Sequence, residues 1–222
     1  MGRSLTRSAR LLQVFAASDP AEEKMQAHIL RLCVLFEDLK REHCGATAYL
    51  DEHSATREAM AERYYHIRRA LGTLFEMSGA IQQLNANTAF DRIKTSMSTG
   101  QLDAWTSAFA FFKREHGLLK DWRDEMGGHF SSDTASYILD SLHPDTAGCI
   151  EIHEVDGPGP PHNVRMGFAF DLIAEAMGKG DPNADFYSFV TRRLEFALNA
   201  FGHAAQAVHV LVQAHLWRRF GS

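Results

Sequence analysis

From Phe196 to Trp217 the chain carries no Asp, Glu, Lys or Arg. This stretch belongs to a longer helical pattern, residues 183–219. Phe186, Phe189, Val190, Leu194, Ala197, Phe201, Ala204, Val208, Leu211 and Leu216 form a broad apolar stripe. Phe196, His203, Val210 and Trp217 form a second stripe at seven-residue intervals. Length alone would permit a membrane span. Asn199, His203, Gln206, His209, Gln213 and His215 argue against one, because polar groups are costly in lipid. A helix apolar on two faces is either central to a fold or half of an interface. The sequence reading favours the interface, and with it a homodimer.

The segments before it keep the same period. Ser18-Asp19-Pro20 is a helix start, with proline where its missing N–H costs nothing. Met25, Ile29, Leu32, Phe36 and Leu39 then recur at steps of three and four, to at least Glu42. Gly45 is a candidate interruption. A helix opening at Ser54 carries Met60, Tyr64, Ile67, Leu71, Leu74, Phe75, Ser78, Ile81 and Leu84 on one face. Asn85-Ala86-Asn87 breaks it, and a short helix over 88–95 precedes a loop at 96–100. From about Gln101, Leu102, Trp105, Phe109, Phe112, His116, Leu119 and Trp122 mark the buried face of another helix. Ser131-Ser132-Asp133 caps a further helix through Leu142, and Phe170 to Met177 is helical again. Between them, Ile150 and Ile152 alternate with polar residues, as do Val164, Met166 and Phe168, across Gly157-Pro158-Gly159-Pro160-Pro161. Alternation across such a turn predicts a β-hairpin over 149–168. The expected fold is mostly α: one domain over 1–222, an antiparallel bundle of long helices with a small inserted hairpin.

With 222 residues the chain can bury a sizeable core without covalent staples. Its net charge of −5 argues against a general nucleic-acid coat but leaves room for a local basic cleft. Cys33, Cys44 and Cys149 are odd in number and widely spaced, which suits a reducing, cytoplasmic setting. Residues 1–18 are basic until Asp19, with Arg3, Arg7 and Arg10 around Ser4 and Ser8. A transit peptide and a Met1-Gly2 acylation pattern compete there with a short packing helix, and the helix is expected.

Chemistry beyond scaffold concentrates at Leu118-Leu119-Lys120-Asp121-Trp122-Arg123-Asp124-Glu125-Met126-Gly127-Gly128-His129-Phe130. An amphipathic helix runs into a glycine pair, with Arg123 on one side and His129 on the other. Lys113, Arg114, Lys120 and Arg123 read as a basic strip on the helix's other face, a candidate nucleic-acid contact. Such strips are more often plain solvated charge.

This stretch resembles the HEPN domain family, the higher eukaryotes and prokaryotes nucleotide-binding domain. Its motif is an arginine, a polar residue, and a histidine after four to six intervening residues. Here Arg123 is followed by Asp124, and five residues separate it from His129. The glycine pair departs from the pattern, whose motif ordinarily lies on an unbroken helical turn. The resemblance implies a dimer in which two motifs share a cleft, and metal-independent cleavage or binding of RNA. No cofactor is implied. Arg123 would neutralise the scissile phosphate. His129 would move a proton at the ribose 2′-hydroxyl or the leaving oxygen. Asp124 would orient the pair. Bacterial members often act in toxin–antitoxin or phage-defence systems, so a cognate antitoxin is a further expected partner.

Two other classes compete. A metal enzyme would use some of the 12 histidines, yet His203, His209 and His215 are six apart and point to three sides of a helix. Glu62/His66 and Glu125/His129 stand at four-residue spacing, which is more often a surface pair. His153 and His162 flank the hairpin turn and read as exposed. The remaining class is a helical interaction protein without a site, docking through its uncharged last helix.

Overall fold

The computed structural model describes residues 10–48, 57–126, 136, 140, 150–152, 164–166, 186–216 and 219–220. Five helices pack together: α2 (Pro20–Thr47), α3 (Arg57–Asn85), α4 (Thr88–Ser96), α5 (Thr99–Met126) and α6 (Phe186–Leu211). A four-residue helix, α1 (Leu11–Val14), precedes them. Two strands, β1 (Ile150–Ile152) and β2 (Val164–Met166), pair antiparallel with Glu151 opposite Arg165. The rest of the 149–168 segment lies outside the described residues. So do residues 1–9, Ser54, most of the segment predicted after Ser131, the one at 170–177, Cys149, His153, His162 and Trp217.

The helix starts follow from their caps. Asp19 Oδ1 accepts from the backbone N–H of Ala21 and of Glu22, both at 2.9 Å, and Pro20 opens α2. Both asparagines of the break after α3 are used. Asn85 Oδ1 accepts from the Trp105 indole at 3.0 Å, while Asn87 Oδ1 caps α4 through Ala89 N–H at 2.8 Å. Gly45 does not end α2, which runs on to Thr47. The glycine is where the His66 ring lies against the helix, in space a Cβ would fill.

Contacts between neighbouring helices give their directions. Arg31 pairs with Glu76 and Glu42 with His66, so α2 and α3 run oppositely. Asn85 meets Trp105, and Phe75 meets His116, so α3 opposes α5. Gln101 bonds Gln213, Phe111 stacks on His203 and Trp122 meets Phe196, so α5 opposes the last helix. Gln26 bonds His215 and His43 stacks on Phe201, which closes the ring back to α2.

Within that ring α6 packs against α2, α3 and α5. Ala200, Ala204 and Ala207 are fully buried, and small side chains at this spacing let helices approach closely. Among the described residues, both stripes of the helix meet neighbouring helices. Phe201 faces α2, while Phe196 and His203 face α5. Of the second stripe, Phe196 and His203 are thus met by α5 within one protomer, and Val210 is buried. The outward side carries Arg192 and Glu195 near its start, then Leu198, Asn199, Gln206, His209 and Gln213, so it is uncharged only from Phe196 on. Among the described residues, no helix is long and apolar enough to cross a membrane. The pattern expected to run unbroken instead widens into a π-helical turn at Val212–Leu216, which brings His215 beside Gln26.

On α5 the buried face differs from expectation at both edges. Leu102 is 39% exposed, whereas Ala108 and Phe111 are buried. Leu102 lies in the first turn, beyond the reach of the core. Phe111 fills the seam with α6 instead.

Candidate functional site

The last turns of α5 hold Arg123 in a defined pose. A cation here also suits the negative end of the helix dipole. Its guanidinium carbon lies 4.0 Å from the centroid of the Phe75 ring on α3. Asp124 Oδ1 accepts from Arg123 Nε at 2.9 Å and from Nη2 at 2.5 Å. Both bonds tie Arg123 to its neighbour in sequence. An arginine offers five N–H donors. The carboxylate takes one from Nε and one from Nη2, so Nη1 and the rest of Nη2 remain for an anion. The Arg123 side chain keeps 35% of its exposure. His129 lies outside the described residues, and α5 is described to Met126.

One residue on the same face was legible only as core. His116 stands seven positions before Arg123, two helical turns back and nearly in line with it. Its ring stacks on the same Phe75, with centroids 5.1 Å apart and planes at 25°. Nδ1 lies 2.8 Å from the Oγ of Ser78, which is fully buried. Ser78 Oγ lies 3.0 Å from the carbonyl of Phe112 and accepts from Gln82 Nε2 at 3.2 Å. A serine hydroxyl has one proton to give, so it serves either the Phe112 carbonyl or His116 Nδ1, and the tautomer of the ring decides which. The ring is part-exposed, and Nε2 is not among the buried atoms that lack a partner. The signal available in sequence was the seven-residue spacing of His116 and Arg123. Phe75 and Ser78, which join them, come from another helix.

The basic strip does not stay together. Lys113 and Lys120 share one exposed line, with the Lys113 ammonium 6.0 Å from the Phe109 ring centroid. Arg114 is nine positions from Arg123, half a turn round the helix. It pairs with Glu115 at 2.5 Å and covers Phe111, on the α6 flank. Arg123 faces α3. At the same end of the bundle Arg193 covers the Trp122 ring at 4.8 Å. Burial raises the Tyr64 hydroxyl above the ordinary tyrosine range, against the opposing pull of Arg68 and Arg193.

A second polar cluster joins α2 to α3. Glu42 is nearly buried, and its two oxygens meet His66 Nδ1 at 2.9 Å and Arg69 Nε at 3.0 Å. His66 and Phe75 are nine apart on α3, so this cluster lies on the opposite flank from Arg123. His66 turns to Glu42, not to Glu62. Of the last-helix histidines, His203 meets Phe111, His209 is exposed and His215 meets Gln26, three separate directions as their spacing predicts. Among the described residues no three His, Cys, Asp or Glu side chains gather as a metal site.

Compared with protein-family models, with curated proteins and with solved structures, the chain matches none.

Proposed function

We propose that this is a HEPN-like helical protein that binds RNA or cleaves it by metal-independent phosphodiester chemistry. The observation that carries the reading is the pose of Arg123. Asp124 and Phe75 hold its guanidinium, yet it stays part-exposed with donors to spare. A pre-set guanidinium fork suits the phosphate of an RNA strand and the added charge of a pentacoordinate state. In the reaction the ribose 2′-oxygen attacks phosphorus and the bond from phosphorus to the 5′-oxygen breaks. The products are a 2′,3′-cyclic phosphate and a 5′-hydroxyl. His129 moves a proton in this exchange, and Lys113 and Lys120 contact the strand beside it. The β1–β2 pair belongs to a hairpin inserted between the motif and α6. A homodimer brings two motifs into one cleft, and a cytoplasmic toxin or phage-defence role, with an antitoxin as partner, fits that assembly.

The test is cleavage of a mixed transfer and messenger RNA pool in the presence of a chelator. Wild type should cleave, while Arg123→Ala and His129→Ala should each lose about a hundredfold or more in rate. Cleavage by all three at one rate removes both residues from the chemistry, and cleavage by none removes the enzyme reading.

A second reading is favoured by one observation. An open groove of about 470 Å³, lined by Phe36, Ala205, Gln206, Val208, His209 and Val212, runs between α2 and the last helix. A non-catalytic interaction protein would dock a partner helix there, and Arg123→Ala would leave that docking unchanged.

A further inference from the structure

We infer that the outward face of α2 is an interface, and that its partner is α2 of a second copy of this chain, lying antiparallel. Glu23, Ala27, Leu30, Val34, Glu37 and Arg41 follow one another at alternating steps of four and three, and all six are exposed. Such steps keep close to the helical period, so the six form one line along the helix. They point away from both neighbours of α2. Arg31 and Glu42 turn to α3, while Gln26, Phe36 and His43 turn to the last helix. Leu30 and Val34 keep 47% and 54% of their exposure, one turn apart, with Ala27 beside them. A lone exposed leucine is ordinary, whereas an apolar run with charges beyond each end has the layout of an interface, apolar at the centre and polar at the rim.

The order of the charges identifies the occupant. Glu23 stands seven positions before Leu30, and Arg41 seven after Val34. A second α2 turned end for end about an axis midway between Leu30 and Val34 sets each of these two against the other across the pair. Glu23 then meets the partner's Arg41 at both ends. Arg41 is free to reach across, being 79% exposed and 3.6 Å from Asp38 of its own helix. Ala27 faces Glu37, whose carboxylate is held by Lys40 at 2.6 Å and lies along the rim. Other alignments are poorer. One heptad of slip sets Val34 against Glu37 in one direction and against Glu23 in the other. A parallel pair sets Glu23 against Glu23 and Arg41 against Arg41, and like charges across an interface are costly.

This contact goes beyond the RNA reading and does not rest on it. In the ring of helices α2 lies across from α5, so the α2 face and the Arg123 cleft are open to different copies. From Glu23 to Arg41 the pair overlaps over ~27 Å of helix. One helix pair is small among stable interfaces, so association should be reversible, with a Kd on the order of 10 μM.

Sedimentation equilibrium of the full chain at low salt, over about a hundredfold range of concentration around that Kd, tests the inference. Wild type should assemble reversibly. Val34→Glu should halve the mass reached at high concentration. Glu23→Arg and Arg41→Glu should each weaken association about tenfold, because each leaves like charges facing at both ends. The two reversals together restore opposite charges and should return the Kd to within about threefold of wild type. Gln206→Glu, on the outward side of the last helix, should change nothing. The substituted side chains are exposed, so each variant should keep its helix content, which circular dichroism checks. Wild type that stays monomeric at every concentration overturns the inference. So does an assembly that Val34→Glu leaves intact or that Gln206→Glu dissolves. If the two charge reversals are no better together than alone, the antiparallel pairing falls.

Discussion

Lowering the pH should loosen the seam between α2 and the end of the last helix, through His215. Its imidazole is pushed down to about 4, by burial first and then by Arg219, with Glu22 opposing. Its partner is Gln26, which is 3% exposed and lies 3.2 Å from Nε2 through its amide nitrogen. The Gln26 amide oxygen is also close, 3.4 Å from Nε2, so the cost of a proton on the ring comes from burial and from Arg219. Unfolding frees the ring to bind a proton near its ordinary value of 6.5. Stability is therefore full above about pH 6.5 and is lost as the pH falls towards 4. At about 1.4 kcal/mol per unit the depression is worth about 3 kcal/mol. The ring keeps some solvent access, and screening reduces this to ~1.5 kcal/mol. Roughly 1 kcal/mol of that is lost between about pH 7 and about pH 5. His28 and His203 are also depressed by burial, so wild type alone cannot isolate His215. Urea unfolding of wild type and His215→Gln at the two pH values can, because the other histidines cancel. The variant should lose about 1 kcal/mol less than wild type across that interval. Equal losses would refute the reasoning, since the ring would then be titrating alike in both states.

Two further outcomes follow from packing. A Cβ on Gly45 would sit 2.3 Å from His66 Cγ, so Gly45→Ala must drive the ring off Glu42. It should cost about 1–3 kcal/mol in chemical denaturation, more than the ~1 kcal/mol that alanine adds to a helix. In a His66→Ala background the same change should stabilise, and stabilisation in both backgrounds would sink the account. His203 stacks on Phe111 at 4.3 Å, yet its Nδ1 is buried without a hydrogen-bond partner among the described residues. His203→Phe keeps the stack and removes the orphan nitrogen, so it should stabilise by about 1 kcal/mol. A lower melting temperature would show that the nitrogen has a partner.

The helices were legible because their signals are local. Asp19 and Pro20 start α2, Asn85 and Asn87 divide α3 from α4, and the apolar steps between them fix the faces. What escaped the sequence depends on partners distant along the chain. Gly45 looks like a weak point by propensity, but α2 continues through it because His66 needs the space. The second stripe of the last helix looks like an interface because periodicity shows that a face is apolar without saying what covers it. Here α5 covers its Phe196 and His203, through Phe111 and Trp122. The π-helical turn at Val212–Leu216 has no simple period to announce it.

The site divides along the same line. A motif is read along the chain, so it points from Arg123 forward to His129. The described packing points backward, to His116, because two turns of helix return to one face and a single ring, Phe75, touches both side chains. The same rule separates Arg114 from Arg123, which a reading by charge alone had joined. Asp124 shows the converse case: its bond to Arg123 is between adjacent residues and was readable from order alone. The arginine and its carboxylate are neighbours in sequence, so order alone pairs them. His116 meets Ser78, which is 38 positions away along the chain and 2.8 Å from it in the fold, so only packing joins them.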